Sequence, residues 1–207
     1  MTEDNPLSAF KQKLVEFATG KRRGIRNPFV IVPVHPAYEQ AVAQQLAGWQ
    51  PGRGASVTPI YLDRVMPQTD VFQTVLELPD SFFQDEDGSS DAQTRAESEE
   101  VTLRENLATE MVDHIVKTRT AICDQPSSIL LLLHLGALYP FARASALLDE
   151  LDRLRVQATV GIPFPGRVIG GKLSFFGEEA QHYYPAHRVN GPVDKSHLSQ
   201  PAIGAPA

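Results

Sequence analysis

The chain has 207 residues, a formal net charge of −6, 42% hydrophobic and 21% charged residues, and one cysteine. That is enough apolar material for one buried core, and the acidic balance weighs against a molecule that binds nucleic acid over its whole surface. A lone thiol, Cys123, allows no internal disulfide and fits a reducing compartment.

The start, Met1 to Pro6, is polar and acidic, unlike a signal peptide. The most apolar region, Ile129 to Ala142, contains His134 and Pro140 and is too short to span a bilayer. The expectation is a soluble cytoplasmic protein. Asn5-Pro6 can cap and open a helix. Leu7, Phe10, Leu14 and Phe17 then share one face, and Gly20 closes it. A basic loop follows, with Lys21, Arg22, Arg23 and Arg26. Phe29 to Val34 reads as the first buried strand, and Pro33 marks an edge position or the strand's end. Pro36 opens a helix whose inner face is Tyr38, Val42, Leu46 and Trp49. Val57 to Leu62, interrupted by Pro59, is a second strand. Asp63 or Thr69 caps the next helix, with Val71, Phe72, Val75 and Leu76 on its apolar face. Residues 84–100 are acidic and small with no apolar period, so they cannot offset their ordering entropy and are expected to form a mobile loop. From Val101 a helical period returns in Leu103, Leu107, Met111, Ile115 and Ile122.

The stretch from Ser127 to Arg188 organises the rest. Ile129 to Leu133 is an unbroken apolar run, as in a strand buried on both faces. Leu138, Phe141, Leu147, Leu148, Leu151 and Leu154 recur at helical spacing. Val156 to Pro163 is a second short apolar stretch. Strand, helix and strand in this order predict a βαβ unit with parallel strands. Leu173 to Phe176 and Tyr183 to Val189 read as two further strands that add an antiparallel edge. The fold class is α/β: a three-layer sandwich around a mostly parallel central sheet, Rossmann- or P-loop-like in topology. One domain is expected over 1–190, with a disordered tail over 191–207.

Gly166-Arg-Val-Ile-Gly-Gly171-Lys172-Leu173 matches a phosphate-loop pattern until its last position, where Leu173 cannot ligate Mg²⁺ as Ser or Thr does. A phosphate loop must also open a helix, whereas the following LSFF reads as a strand. The motif is therefore read as a glycine turn and not as a functional P-loop. His35 and His134 each follow a predicted strand, at the edge where parallel sheets bind ligands. Two histidines without a third ligand do not make a metal site, and structural roles account for both. Four positive charges from Lys21 to Arg26 could contact phosphates, but no aromatic residues interleave for base stacking. Cys123 has no neighbouring base, and Ser174 lacks the nucleophile elbow. No catalytic residue, cofactor or metal is assigned.

The strings HLGALYPFARASALLDELDR and VGIPFPGRVIGGKLSFFGEEAQHYYPAHRV resemble the C-terminal half of the BrxB family of BREX bacteriophage-defence proteins. NPFVIVPVHPAYEQAVAQQL resembles the start of the same family. The specific marks are Gly136-Ala137-Leu138 with Pro140-Phe141, then Phe-Pro-Gly with Leu-Ser-Phe-Phe-Gly. The family pattern has an acidic residue at the position of His35 and an arginine at that of His134, and this chain departs at both. The resemblance implies a bacterial antiviral assembly with a PglZ-like phosphatase-family protein, a methyltransferase and a large ATPase. In it the chain is expected to be a non-catalytic adaptor binding the PglZ-like protein. Phe175, Phe176, Tyr183 and Tyr184, with Arg143 and Arg167, are the interface candidates, aromatics and arginine being enriched at hot spots. The alternatives are a nucleotide- or metal-binding enzyme using the sheet edge near His35, His134, Gly136 and Gly171, and a DNA-contacting subunit using Lys21, Arg22, Arg23 and Arg26.

Overall fold

Apolar runs become the strands of a six-stranded sheet. The computed structural model describes residues 5–20, 28–52, 54–77, 106–139, 141–169, 172–175 and 186–198. The strands are β1 (Phe29–Val34), β2 (Ser56–Tyr61), β3 (Ser128–Leu133), β4 (Thr159–Ile169), β5 (Lys172–Phe175) and β6 (His187–Arg188). Their order is β2-β3-β4-β1-β6, all parallel, and β5 pairs antiparallel with the far end of β4.

Alternation divides the strand side chains between two cores. Phe29, Ile31, Leu130, Leu132, Val160, Ile162 and Phe164 face one side. There they meet α5 (residues 106–118), through Leu107, Met111 and Ile115, and α7 (Ala144–Arg153), through Leu147, Leu148 and Leu151. Val30, Val32, Val34, Ile129, Leu131 and Leu133 face the other side. They meet α1 (Pro6–Ala18), through Leu7, Phe10 and Leu14, and α2 (Glu39–Ala47), through Val42 and Leu46. Helix, sheet and helix make the three-layer sandwich expected from the pattern. Asn5 caps α1, its Oδ1 accepting from the Leu7 N–H at 2.9 Å, and Pro6 holds the first helical position. Gly20, at φ 70°, ends it.

Proline placement follows the ladders. The Pro33 carbonyl accepts from the Val193 N–H, so its missing donor faces the β6 side, where the two-residue β6 has already ended. β2 is an edge strand and tolerates Pro59. In β4 the β3 ladder stops at Gly161, and Pro163 and Pro165 lie beyond it. For this reason β4 runs on through Pro-Phe-Pro-Gly to Ile169 rather than stopping at Pro163.

Several expectations are corrected. β6 is parallel to β1, so among the described residues only β5 supplies an antiparallel strand. Leu138 sits in a 3₁₀ turn (Leu135–Leu138), and α7 starts only at Ala144. The turn breaks the helical phase, which leaves Phe141 53% exposed instead of inward. α4 (Asp70–Glu77) has no buried residue, and its Leu76 is 65% exposed. The helical stretch before β3 is interrupted at Arg119, after which α6 (Thr120–Cys123) is a single turn. Residues 191–198 are not a loose tail: Val193 bridges to Val34 and is fully buried, and the His197 carbonyl accepts from Asn5 Nδ2 at 3.3 Å. The acidic loop at 84–100 and residues 199–207 lie outside the described residues.

Candidate functional site at the carboxyl edge of the sheet

The chain leaves β1 toward α2 on one face and leaves β3 toward α7 on the other. Between them, beyond β4, lies the crevice where open parallel sheets bind ligands. Part of that edge is taken up by the protein's own groups. Glu39, at the start of α2, reaches across, and its Oε1 accepts from the Gly136 N–H at 2.8 Å. A carboxylate thus sits on the backbone donor of the turn after β3.

His134 follows β3 with φ 60°, a left-handed conformation uncommon outside glycine. Its Nδ1 lies 3.0 Å from Asp63 Oδ1, at the start of the short α3 (Leu62–Val65). That Oδ1 is shielded from solvent and has no aligned hydrogen-bond donor, so the approach to His134 is not a well-formed hydrogen bond. The Tyr61 ring stands edge-on to His134 at 5.2 Å, and the Arg64 guanidinium lies 4.6 Å over Tyr61. Burial pushes the Glu39 carboxyl above its usual range. The Gly136 N–H and His134 pull it down, and Asp63 pushes it up.

The consequence for stability has a definite sign. A carboxyl whose folded pKa is raised binds more protons folded than unfolded, so its contribution is fully present below the unfolded value, about 4.3, and is lost as pH rises through the folded value. Glu39→Gln keeps an acceptor for the Gly136 N–H and removes the charge. Its stability, measured by urea denaturation, should therefore fall less than that of the parent as pH rises above that range. Glu39→Ala leaves the Gly136 N–H without its partner and should cost about 1–3 kcal/mol. Equal pH slopes in the parent and Glu39→Gln would contradict this account.

His35 lies on the other side of the crevice. Its Nδ1 accepts from the Ala37 N–H at 3.3 Å, which caps the 3₁₀ turn Pro36–Tyr38, and its backbone N–H donates to the Val193 carbonyl at 2.9 Å. β4 separates β1 from β3, so the two histidines serve different neighbourhoods: one caps a turn, the other faces Asp63. Among the described residues no group of three or more His, Cys, Asp or Glu side chains could hold a metal ion. His35 instead lines a cleft of about 470 Å³ with Arg167, Arg188, Asn190 and Asp194. Asp194 is engaged locally, its Oδ1 accepting from the Ser196 N–H at 2.8 Å and from Ser196 Oγ at 2.6 Å. Gly166 to Ile169 is strand, and β5 follows from Lys172, so the Gly-Lys motif opens no helix. Cys123 is buried at the end of α6, and burial, then Asp124, pushes its thiol up, away from the thiolate.

Of the interface candidates, Arg143 is exposed at the start of α7 and Arg167 is exposed on β4. Phe175 is half-buried between Phe164, at 5.3 Å, and Tyr139, at 5.6 Å. Phe176, Tyr183 and Tyr184 lie outside the described residues, as do Lys21, Arg22, Arg23 and Arg26. The sequence reading missed Glu39 and Asp63, which are brought to the edge from separate elements. It also missed the exposure of Tyr139, Val168 and Ile169 beside Phe175.

The family model for the BREX protein BrxB matches residues 68–189, more than half of the chain. The chain belongs to the BrxB family. It is therefore a component of BREX phage defence. No curated protein and no solved structure matches it significantly. The BrxB match takes in β3, α7, β4, β5 and β6, including His134, Arg143, Arg167 and Phe175, whereas His35, Glu39 and Asp63 precede it. Among the described residues of this BrxB protein, no helix is long and apolar enough to cross a membrane.

Proposed function

We propose that this BrxB protein is a non-catalytic adaptor of the bacterial cytoplasm that binds the PglZ-like phosphatase-family protein of its BREX system. The observation that carries the reading is the Glu39 carboxylate seated on the Gly136 N–H. In open parallel sheets that edge is where substrate groups are received, and here the donor of the turn after β3 is taken up by the chain itself. A buried Cys123 and a buried Ser174 add no accessible nucleophile.

Co-purification tests the reading. The protein is mixed with the PglZ-like protein, the methyltransferase and the large ATPase, one at a time, at moderate salt. A stable one-to-one complex with the PglZ-like protein is expected. Failure to hold any of the three would overturn the adaptor role.

One observation favours a second reading. The cleft lined by His35, Arg167 and Arg188 is large enough for a small ligand whose anionic group the two arginines would meet. Nucleotide and divalent-metal additions that raise the melting temperature, lost on Arg167→Ala, would support it. The absence of any thermal shift would remove it.

A further inference from the structure

The β4–β5 ribbon leaves the sheet. The last β1 residue paired with β4 is Val34, opposite Pro165, and the last of β3 is Leu131, opposite Gly161. From Gly166 to Ile169 the ladder partners of β4 are the four residues of β5. A two-stranded ribbon is marginal in water unless one face rests on something. This one carries an exposed aliphatic side chain on each face. Val168 and Ile169 are neighbours, so they point to opposite sides, yet they are 41% and 56% exposed.

The corner after β3 continues the same surface. Tyr139 and Phe141 are 39% and 53% exposed, and the Tyr139 ring meets Phe175, which pairs with Gly166. Four of the five exposed large hydrophobics among the described residues are therefore gathered at this one place, and the fifth, Leu76, is on α4. Clustering of this kind, unlike single exposed side chains, marks an interaction surface. Among the described residues three arginines stand around it. Arg167 is exposed between Gly166 and Val168, Arg143 lies two residues past Phe141, and Arg188 lines the cleft at the base of the ribbon. Asp194, the carboxylate of that cleft, is held by Ser196 and lies 3.0 Å from His197 Nδ1. Three arginines to one carboxylate, among the described residues, stand beside this apolar surface in a chain of net charge −6.

We infer that the β4–β5 ribbon, with Tyr139 and Phe141, is a docking arm for a partner protein that presents an apolar groove edged by carboxylates. The inference rests on the adaptor reading and adds to it the surface and the partner's chemistry. Aliphatic Val168 and Ile169 on both faces suit a protein groove that closes around the ribbon. Arginines at its rim steer an acidic partner more than they hold it.

The test uses the full chain and the purified PglZ-like protein, then the methyltransferase and the large ATPase, by titration calorimetry. The double variant Val168→Asp/Ile169→Asp is expected to bind the component held by the parent at least about 30-fold more weakly, the loss typical of a hot spot. Its melting temperature should be unchanged, both side chains being outside the core. Arg167→Glu, which leaves every apolar contact in place, should weaken binding about tenfold at low salt and less at high salt. If the double variant melts early, Arg167→Glu decides. A parent that binds, with both variants binding equally well, would overturn the docking arm and leave the adaptor reading standing. A parent that binds none of the three would remove both. A parent that forms a dimer through the ribbon, or binds DNA through it, with either lost in the double variant, would replace the proposed partner and overturn the inference.

Discussion

Gly166→Ala should destabilise the protein by about 3 kcal/mol, at the upper end of what overpacking costs. A Cβ at this position would fall inside contact distance of the Ser174 carbonyl oxygen on the paired strand and within 2.5 Å of the Phe164 ring. The carbonyl belongs to the β5 backbone and cannot turn aside as a side chain can. Relief requires β5 to lift from β4, which opens the Gly166–Phe175 pair and unseats Phe175 from Phe164. Two effects are therefore expected together: a lower midpoint in chemical denaturation, and weaker partner binding through a displaced ribbon. Gly161 supplies the contrast. A Cβ there meets Leu131 Cδ2 at 2.9 Å and Leu14 Cδ1 at 3.0 Å, the ends of side chains that can rotate. Gly161→Ala should cost distinctly less. Gly166→Ala with the parent's midpoint would contradict the packing described for the ribbon.

Phe10→Ala should cost about 3–5 kcal/mol, as for other fully buried large side chains. Phe10 has no solvent exposure and joins α1 to the core formed with Val30, Val32 and Leu131. Nothing on this face can fill the space, because the sheet beneath is continuous and α2 is held by its own contacts at Val42 and Leu46. Loosening α1 also weakens the end of the chain, since Asn5 donates to the His197 carbonyl. Thermal melting of this variant should show a large fall in the midpoint. A loss under about 1 kcal/mol would mean that α1 packs far less tightly than described.

The sheet was legible in the sequence because its signal is local. Phe29 to Val34 and Ile129 to Leu133 are runs in which every residue is apolar, and all of them are buried. That the Gly-Lys motif runs into a strand was also legible, since LSFF is an apolar run with no helical period. What failed depended on phase or on distance along the chain. Phe141 fits the helical spacing of Leu147 and Leu151, but the 3₁₀ turn at Leu135–Leu138 resets the phase. β4 was cut short at Pro163 because its prolines read as a stop. They stop nothing, since the β3 ladder has already ended there. β6 has two residues, too few for any period. The site was less legible still. Glu39 and Gly136 are 97 residues apart, and no spacing rule connects them. The role of His35 could have been found, as it stands directly before Pro36 in the capping position of a turn.

The most direct test of the adaptor account is amide hydrogen exchange of the full chain with and without the PglZ-like protein. Protection is expected in residues 166–169 and 172–175 and at Tyr139 and Phe141, with little change around Glu39, Asp63 and His134. Protection centred on the crevice instead, or no change anywhere at saturating partner, would contradict it.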